Sequence, residues 1–241
     1  MNSRIALILV PALMLGCAAE EVAPDVVSAQ EAPQVVEDAG ANAPQVSSLV
    51  FENEHVRAML VALEPGDEVP EHSGRERAVY SLTDYRILFA EEGESHEREW
   101  RAGQAHWHEA RDHAVRNIGD TEARFLVVSR TEAALAETAA LHIDHDAATI
   151  EEGFAALIFE NDHVRITQVT LPPGTAQAEH HGVHRLVYSL SDYAIRYTSD
   201  RVETVERAFA AGDAHWHEAD IHAVENIGST EARFVIFQFK S

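Results

Sequence analysis

Hydrophobic residues come in short runs of five or six, separated by residues that favour turns. The runs lie at residues 56–61, 78–82, 124–128, 164–169, 186–190 and 234–239. Gly, Pro, Asp and Asn stand between them, as at 64–67 and 117–120. Many short apolar segments at this spacing predict an all-β sandwich or barrel. Helical periodicity is confined to residues 131–141, which are rich in Ala, Leu and Glu.

The same pattern occurs twice along the chain. The stretch 51–57 returns as 159–165, a shift of 108 residues, and 16 of the 20 residues at 106–125 match those at 215–234. A period of this length fits a small domain rather than a solenoid unit. The helical segment falls between the two copies, so we expect a short helical connector there.

The first residues resemble a bacterial export signal. Arg4 precedes an apolar run at 5–15 that is too short to span a bilayer. The run ends in Leu-Gly before Cys17, the only cysteine of the chain, and this arrangement resembles a lipobox, whose cysteine is acylated. Ordinary signal cleavage is the alternative. Ala18 and Ala19, rather than Asp, follow the cysteine, which favours the outer membrane, with the domains facing the periplasm.

Composition separates a leader from the folded part. Residues 18–47 are rich in Ala, Pro, Glu, Val and Gln without any period, which predicts a flexible tether. The predicted segments are a signal peptide at 1–17, the tether at 18–47, a first domain at 48–130, a connector at 131–152 and a second domain at 153–241. The formal charge of −23, from 41 acidic and 18 basic residues, repels phosphates and excludes nucleic-acid binding.

Both copies carry an ordered set of motifs: Glu-Asn-x-His-Val-Arg, Pro-Gly, a His, Arg-x-Val-Tyr-Ser-Leu-x-Asp, Ala-Gly, Trp-His-Glu-Ala, and His-Ala-Val-x-Asn-Ile-Gly. This order resembles the cupin family. Gly66 followed by His72, and Gly174 followed by His180, match the opening of the first cupin motif. The resemblance implies two tandem jelly-roll β-barrels joined by the connector, a bicupin whose barrels form a pseudo-two-fold pair within one chain.

The resemblance also implies a metal held by two His and one Glu of the first motif and one His of the second. Copy one keeps His72 and His113, and copy two keeps His180 and His222. Glycine and arginine occupy the neighbourhood of the other two ligands. An arginine cannot ligate, and its charge repels a cation.

Copy two adds His184 where copy one has Glu76. The predicted metal ligands are therefore His180, His184 and His222 in copy two, and His72, Glu76 and His113 in copy one. These sets suit a divalent transition metal, namely Fe, Mn, Zn, Ni or Cu. The alternative is an eroded barrel whose histidines form hydrogen bonds in the core or at the rim.

Arg77 and Arg185 stand at the same place in both copies. In a barrel mouth, such a guanidinium can bind a substrate carboxylate through two hydrogen bonds. Tyr80 and Tyr188 are candidate substrate contacts if they lie at the rim rather than in the core. The alternative partners of the two arginines are structural carboxylates: Glu52, Asp84, Glu160 and Asp192.

The His-Trp-His element of each copy has an ambiguous orientation. On a strand, His106 and His108 point to one side and Trp107 to the other, and the same holds for 215–217. Either the tryptophan or the histidine pair faces the barrel interior.

The sequence thus supports two functions. The first is a cell-envelope bicupin lipoprotein that binds a divalent metal, a small oxygenated ligand, or both, in a barrel mouth. The alternative is a metal-dependent enzyme of oxygenase or isomerase type acting on a small carboxylated molecule. The missing consensus ligands favour the first, and the additional His181 and His184 favour the second.

Overall fold

The computed structural model describes residues 43, 45–131, 135, 145–150 and 153–240, all within one compact unit. The described residues form eighteen strands and one short helix, α1 (Ala147–Ile150). No helix in these ranges is long and apolar enough to cross a membrane. The predicted signal peptide with Cys17, nearly all of the tether and most of the predicted connector helix lie outside the described residues.

Nine strands build the first barrel, barrel 1. They are β1 (Ser47–Glu52), β2 (Val56–Leu63), β3 (Glu68–Gly74), β4 (Arg77–Ser81), β5 (Tyr85–Glu91), β6 (Glu94–Trp100), β7 (Ala105–His108), β8 (Arg111–Asn117) and β9 (Ala123–Arg130). Two antiparallel sheets have the orders β1-β2-β9-β4-β7 and β3-β8-β5-β6. Side chains from both sheets form one buried apolar cluster, so the sheets enclose a common interior.

The second barrel, barrel 2, repeats this plan. Its strands are β10 (Ala155–Glu160), β11 (Val164–Leu171), β12 (Ala176–Gly182), β13 (Arg185–Ser189), β14 (Tyr193–Ser199), β15 (Val205–Phe209), β16 (Ala214–His217), β17 (Asp220–Asn226) and β18 (Ala232–Phe239). The sheet orders are β10-β11-β18-β13-β16 and β12-β17-β14-β15. The predicted all-β pair of barrels is therefore confirmed, and each barrel carries its own interior cluster.

The central strands are buried on both faces, which explains their nearly continuous apolar sequences. In β2, Val61 and Leu63 pack into the interior of barrel 1, whereas Val56 and Ala58 join a cluster shared with barrel 2. Successive strand residues point to opposite faces, so a strand with two apolar environments needs apolar residues at both parities.

A shared apolar cluster joins the two barrels within the compact unit. It includes Leu126 and Val128 of barrel 1 and Val235 and Phe237 of barrel 2. Two reciprocal ring stacks border it, Trp107 on His163 with ring centroids 4.9 Å apart and His55 on Trp216 at 5.5 Å. Equivalent residues of the two copies exchange places in these stacks. The barrels therefore form the expected pseudo-two-fold pair.

Candidate functional site

Strand pairing settles which way the His-Trp-His elements face. In barrel 1, β4 lies antiparallel to β7 with Arg77 opposite His108 and Val79 opposite His106. Val79 belongs to the interior cluster, so His106 and His108 also face the interior. Trp107 points outward to the other barrel. Barrel 2 has the same register, with Arg185 opposite His217.

An irregularity in β3 brings two more histidines into the interior. The register with β8 shifts between Val69 and His72, and His72 then lies opposite His113. Such a bulge redirects the following side chain. The imidazole centroids are 4.2 Å apart, and His72 Nδ1 lies 2.8 Å from the Pro70 carbonyl oxygen. His180 and His222 repeat the pair at 4.2 Å in barrel 2.

The guanidinium of Arg77 lies against this histidine pair. Its Nη2 donates to His113 Nε2 at 2.8 Å, and its Nη1 donates to the carbonyl oxygens of Arg75 at 2.9 Å and Glu109 at 3.4 Å. His113 Nδ1 lies 3.1 Å from the Arg111 carbonyl oxygen, which assigns the ring proton to Nδ1 and leaves Nε2 as acceptor.

Gly74 makes room for this guanidinium. A Cβ at residue 74 would stand 2.5 Å from Arg77 Nη1 and 2.6 Å from His113 Cε1. A Cβ at Gly182 would stand 2.2 Å from Arg185 Nη1. The glycine at each of these positions, where the cupin resemblance places a ligand, is therefore a packing requirement of the arginine.

Arg77 carries a buried positive charge without a carboxylate partner. The residue is 7% exposed, and no carboxylate of the described residues lies within ion-pair distance of it. Burial lowers the pKa of Arg77 to about 10, although Glu91 acts in the opposite direction. Over the described residues the Nε–H has no acceptor, whereas Nη2 contacts His113, at 2.8 Å from its Nε2 and 3.5 Å from its Nδ1. The Nε and Nη2 edge of a guanidinium is the side that matches the two oxygens of a carboxylate.

The histidines around Arg77 add no second charge. Burial, reinforced by the positive charge of Arg77, lowers the pKa of His106, His108 and His113 to about 3. They are therefore neutral near pH 7 and offer hydrogen bonds rather than charge.

Barrel 2 neutralises the equivalent arginine internally. Arg185 Nη2 donates to Asp220 Oδ1 at 3.0 Å and to the Tyr197 hydroxyl at 3.0 Å, and the Tyr197 hydroxyl donates to Asp220 Oδ2. Asp220 is 4% exposed, yet its hydrogen bond from His222 and the charge of Arg185 outweigh burial and hold its pKa well below the usual range. Both Nη2 hydrogens are used, so this guanidinium has less to offer a ligand.

The interior of barrel 1 contains a cavity of about 70 Å³. Arg77 and its histidines line one part, Tyr85 and Ser129 contribute hydroxyl groups, and most of the remainder is lined by apolar side chains of both sheets: Val61, Val69, Val79, Ile87, Val115 and Phe125. Arg57 and Arg75 also line it. Arg57 lies 3.6 Å from Glu52, so its charge is partly compensated.

The structure does not bring together the predicted metal ligands of copy two. His184 Nδ1 lies 2.8 Å from Glu218 Oε2, and its ring lies beside Trp216 and His55, on the face between the barrels. His180 and His222 lie instead in the interior of barrel 2, where the His222 ring stacks on Tyr197. His184 is the bend residue that precedes β13, and its ring contacts place it on the outer face, away from the inward Arg185.

The predicted set in copy one is divided as well. Glu76 is exposed, whereas His72 and His113 are buried. Tyr80 and Tyr188 are buried in the cluster between the barrels, where the Tyr80 hydroxyl donates to Gln168 Oε1 at 2.8 Å. The tyrosines therefore do not line either barrel interior.

These residues do not fit a divalent metal ion. A cation at His72 and His113 would compete with Arg77 for the Nε2 lone pair of His113 and stand beside a fixed positive charge. Over the described ranges, no group of three or more His, Cys, Asp or Glu side chains is arranged to hold one. The guanidinium occupies the position at which an ion would meet the histidines.

Sequence reasoning missed Asp220 and Tyr197. A signal was present: residues 111 and 112 are Arg and Asp in copy one but Asp and Ile in copy two, inside a stretch that is otherwise nearly identical. Phe89 stands where copy two has Tyr197. The changes at Arg111/Asp220 and Phe89/Tyr197 together create or remove the carboxylate network around the arginine.

No known protein family and no curated protein matches this chain in sequence. Solved structures match it in fold. A single-residue mutant of Bacillus subtilis oxalate decarboxylase has a TM-score of 0.58 at 16% identity, covering 77% of this chain and 69% of that chain. A structure from work on the Mn(II) centres of the same enzyme has a TM-score of 0.58 at 15% identity, covering 80% and 71%. AerE from Microcystis aeruginosa has a TM-score of 0.56 at 13% identity, covering 81% and 98%. At these identities the likeness concerns the fold, and it confirms the tandem cupin-type barrels.

Proposed function

We propose that the protein binds a small carboxylate in the interior of barrel 1, with Arg77 as the anchoring residue. The observation that carries this proposal is the contrast between two equivalent arginines. Arg185 is paired with Asp220, whereas Arg77 lines a cavity and has no carboxylate of the described residues within ion-pair distance. An uncompensated buried charge is costly, and a bound anion would compensate it.

The surrounding groups would orient such an anion. The Arg77 edge would take both carboxylate oxygens, which fixes the plane of the ligand. His106 and His108 lie beside the same cavity as neutral imidazoles and would supply further hydrogen bonds. Since oxalate decarboxylase is named for a small carboxylate, the same fold accommodates a ligand of this chemistry elsewhere.

The alternative of a metal-dependent enzyme has support from the Mn(II) centres of the structurally similar Bacillus enzyme. The interior residues of this chain disagree with it, because Arg77 and Arg185 stand against His113 and His222. We therefore derive no reaction step through a metal, and binding without assigned catalysis is the function that the residues support.

Calorimetric titration of the purified, untagged protein with acetate and formate tests the proposal. We expect saturable binding that Arg77→Met weakens at least about tenfold, the equivalent of one charge-assisted hydrogen bond. Arg86→Met, at an exposed position of β5, is the control and leaves the affinity unchanged. Elemental analysis of the same sample gives well under one metal ion per chain. Equal carboxylate affinity in Arg77→Met, or a stoichiometric metal, contradicts the proposal.

We also propose that acylated Cys17 anchors the protein to the bacterial cell envelope, with the outer membrane favoured. The apolar run before Cys17 and the absence of any second cysteine support this location. After expression in a bacterial host, the wild-type protein is expected in the membrane fraction and labelled by a fatty-acid probe. Cys17→Ser is expected to lose the label, and an unlabelled wild-type protein would refute the anchor.

A further inference from the structure

We infer that the ligand of barrel 1 is a monocarboxylate with a short apolar body, which rests on the proposed carboxylate site. The inference depends on three properties of the interior: a single uncompensated charge, an apolar wall, and a small volume. Barrel 2 provides the comparison, because its interior is built from equivalent strands with different side chains.

Among the described residues that line the cavity, Arg77 is the buried positive charge with no carboxylate within ion-pair distance. Arg57 is 3.6 Å from Glu52, and Arg75 is exposed at the opening. The imidazoles of His106 and His108 are neutral near pH 7. A first carboxylate neutralises Arg77, but a second one within the cavity would be buried without a counter-charge.

The wall beyond Arg77 is mainly apolar, and its hydroxyl groups belong to Ser129 and to Tyr85, whose hydroxyl lies 3.1 Å from Ser81 Oγ. Val69, Val79 and Ile87 line it from three strands, with Phe125 and Val115 beside them. These side chains are buried and lack hydrogen-bonding atoms, so they favour methyl and methylene groups over oxygens. The body of the ligand is therefore expected to be hydrocarbon.

The volume limits the length of that body. The cavity of about 70 Å³ is small, so it suits a ligand of few non-hydrogen atoms, such as propanoate.

Barrel 2 shows that the apolar wall is specific to barrel 1. Thr167, Gln177 and Gln238 are at most 3% exposed and stand where barrel 1 has Met59, Val69 and Ser129. Within the described structure, Thr167 Oγ1, Gln177 Nε2 and Gln238 Oε1 have no hydrogen-bond partner. At two of these positions barrel 2 has the polar Thr167 and Gln177 where barrel 1 has the apolar Met59 and Val69, and this difference coincides with the paired or unpaired arginine.

Three ligands with the same number of carbon atoms test the inference by calorimetry at pH 7.5. Propanoate carries one carboxylate and a methyl group, malonate replaces the methyl with a second carboxylate, and propanamide removes the charge. We expect propanoate to bind at least about tenfold more tightly than either of the others. Val69→Gln introduces the barrel 2 side chain and is expected to weaken propanoate binding at least about tenfold. Met59→Thr, also taken from barrel 2, serves if Val69→Gln does not fold.

The outcomes separate the two proposals. Malonate binding as tightly as propanoate refutes the apolar-bodied monocarboxylate but leaves the carboxylate site. Propanamide binding as tightly as propanoate refutes the role of charge. If none of the carboxylates binds, the proposed function itself fails. Unchanged propanoate affinity in folded Val69→Gln also overturns the inference, because the body of the ligand would then lie elsewhere.

Discussion

At the scale of single residues, the two copies differ most at one interaction. Arg77 and Arg185 use Nη1 in the same way, each donating to two backbone carbonyls. Their Nη2 groups differ, because Asp220 accepts from Arg185 whereas Arg111, its counterpart, extends to Glu91 at 2.7 Å. A difference between the copies two residues before a histidine that both copies share, His113 and His222, therefore changes the charge of a barrel interior.

This difference predicts unequal effects of removing each arginine. Arg185→Met leaves Asp220 buried without a counter-charge, and we expect the free energy of unfolding to fall by about 3–5 kcal/mol. Arg77→Met leaves no buried charge without a partner. We therefore expect its effect on the free energy of unfolding to be at least about 2 kcal/mol smaller, within the range for lost hydrogen bonds. Denaturant unfolding measures both values. Adding Asp220→Asn to Arg185→Met should restore at least about 2 kcal/mol, and no recovery would show that Asp220 is not the cause.

At the scale of strands, the site depends on which face each side chain takes. Alternation along β7 shows that His106 and His108 share a face, but the sequence alone leaves that face undetermined. The register with β4, which places His108 opposite Arg77, decides it. His184 precedes β13 in a bend and turns outward to His55 and Trp216, away from His180 and His222. The register depends on contacts between residues far apart in sequence, so the amino-acid sequence alone does not reveal it.

The end of β3 gives a prediction at this scale. Gly74→Ala places a methyl group 2.5 Å from Arg77 Nη1, so the guanidinium must shift and carboxylate affinity is expected to fall at least about tenfold. Gly182→Ala makes the equivalent clash in barrel 2 and is the matched control, which should reduce stability but leave carboxylate affinity unchanged. Calorimetry and thermal unfolding separate the two effects. Equal loss of affinity in both variants would argue against a site specific to barrel 1.

At the scale of the whole molecule, duplication built one scaffold with two different interiors. The repeat and its motifs were sufficient to predict the number of barrels and their all-β fold, because turn residues and apolar runs recur at equivalent positions. The apolar face between the barrels was not predictable in detail. The sequence left Tyr80 and Tyr188 open between the barrel rim and the core, and they pack in the shared cluster. Their placement depends on how two barrels meet, which no local pattern encodes.

The buried histidines predict how stability depends on pH. Burial, followed by nearby positive charge, lowers the folded-state pKa of six of them from 6.5 to between about 2 and about 4: His106, His108, His113, His215, His217 and His222. The unfolded chain then binds more protons below pH 6.5, so the free energy of unfolding is full above that pH and falls from about pH 6.5 towards pH 4. Each histidine contributes up to about 1.4 kcal/mol per pH unit.

Denaturant titrations at several pH values measure this dependence. His106→Phe removes one of the six groups and should reduce the slope, whereas His96→Ala, at an exposed position, should not. A free energy of unfolding that stays constant between pH 7.5 and pH 5 would mean that the histidines are not buried in neutral form.

A crystal structure of the protein grown with propanoate would show whether Arg77 anchors a small monocarboxylate inside barrel 1. We expect a carboxylate across the Nε and Nη2 edge of Arg77, its hydrocarbon body against Val69 and Ile87, and no equivalent molecule beside Arg185. A metal ion bound by His72 and His113, with the Arg77 guanidinium displaced from His113, would contradict it.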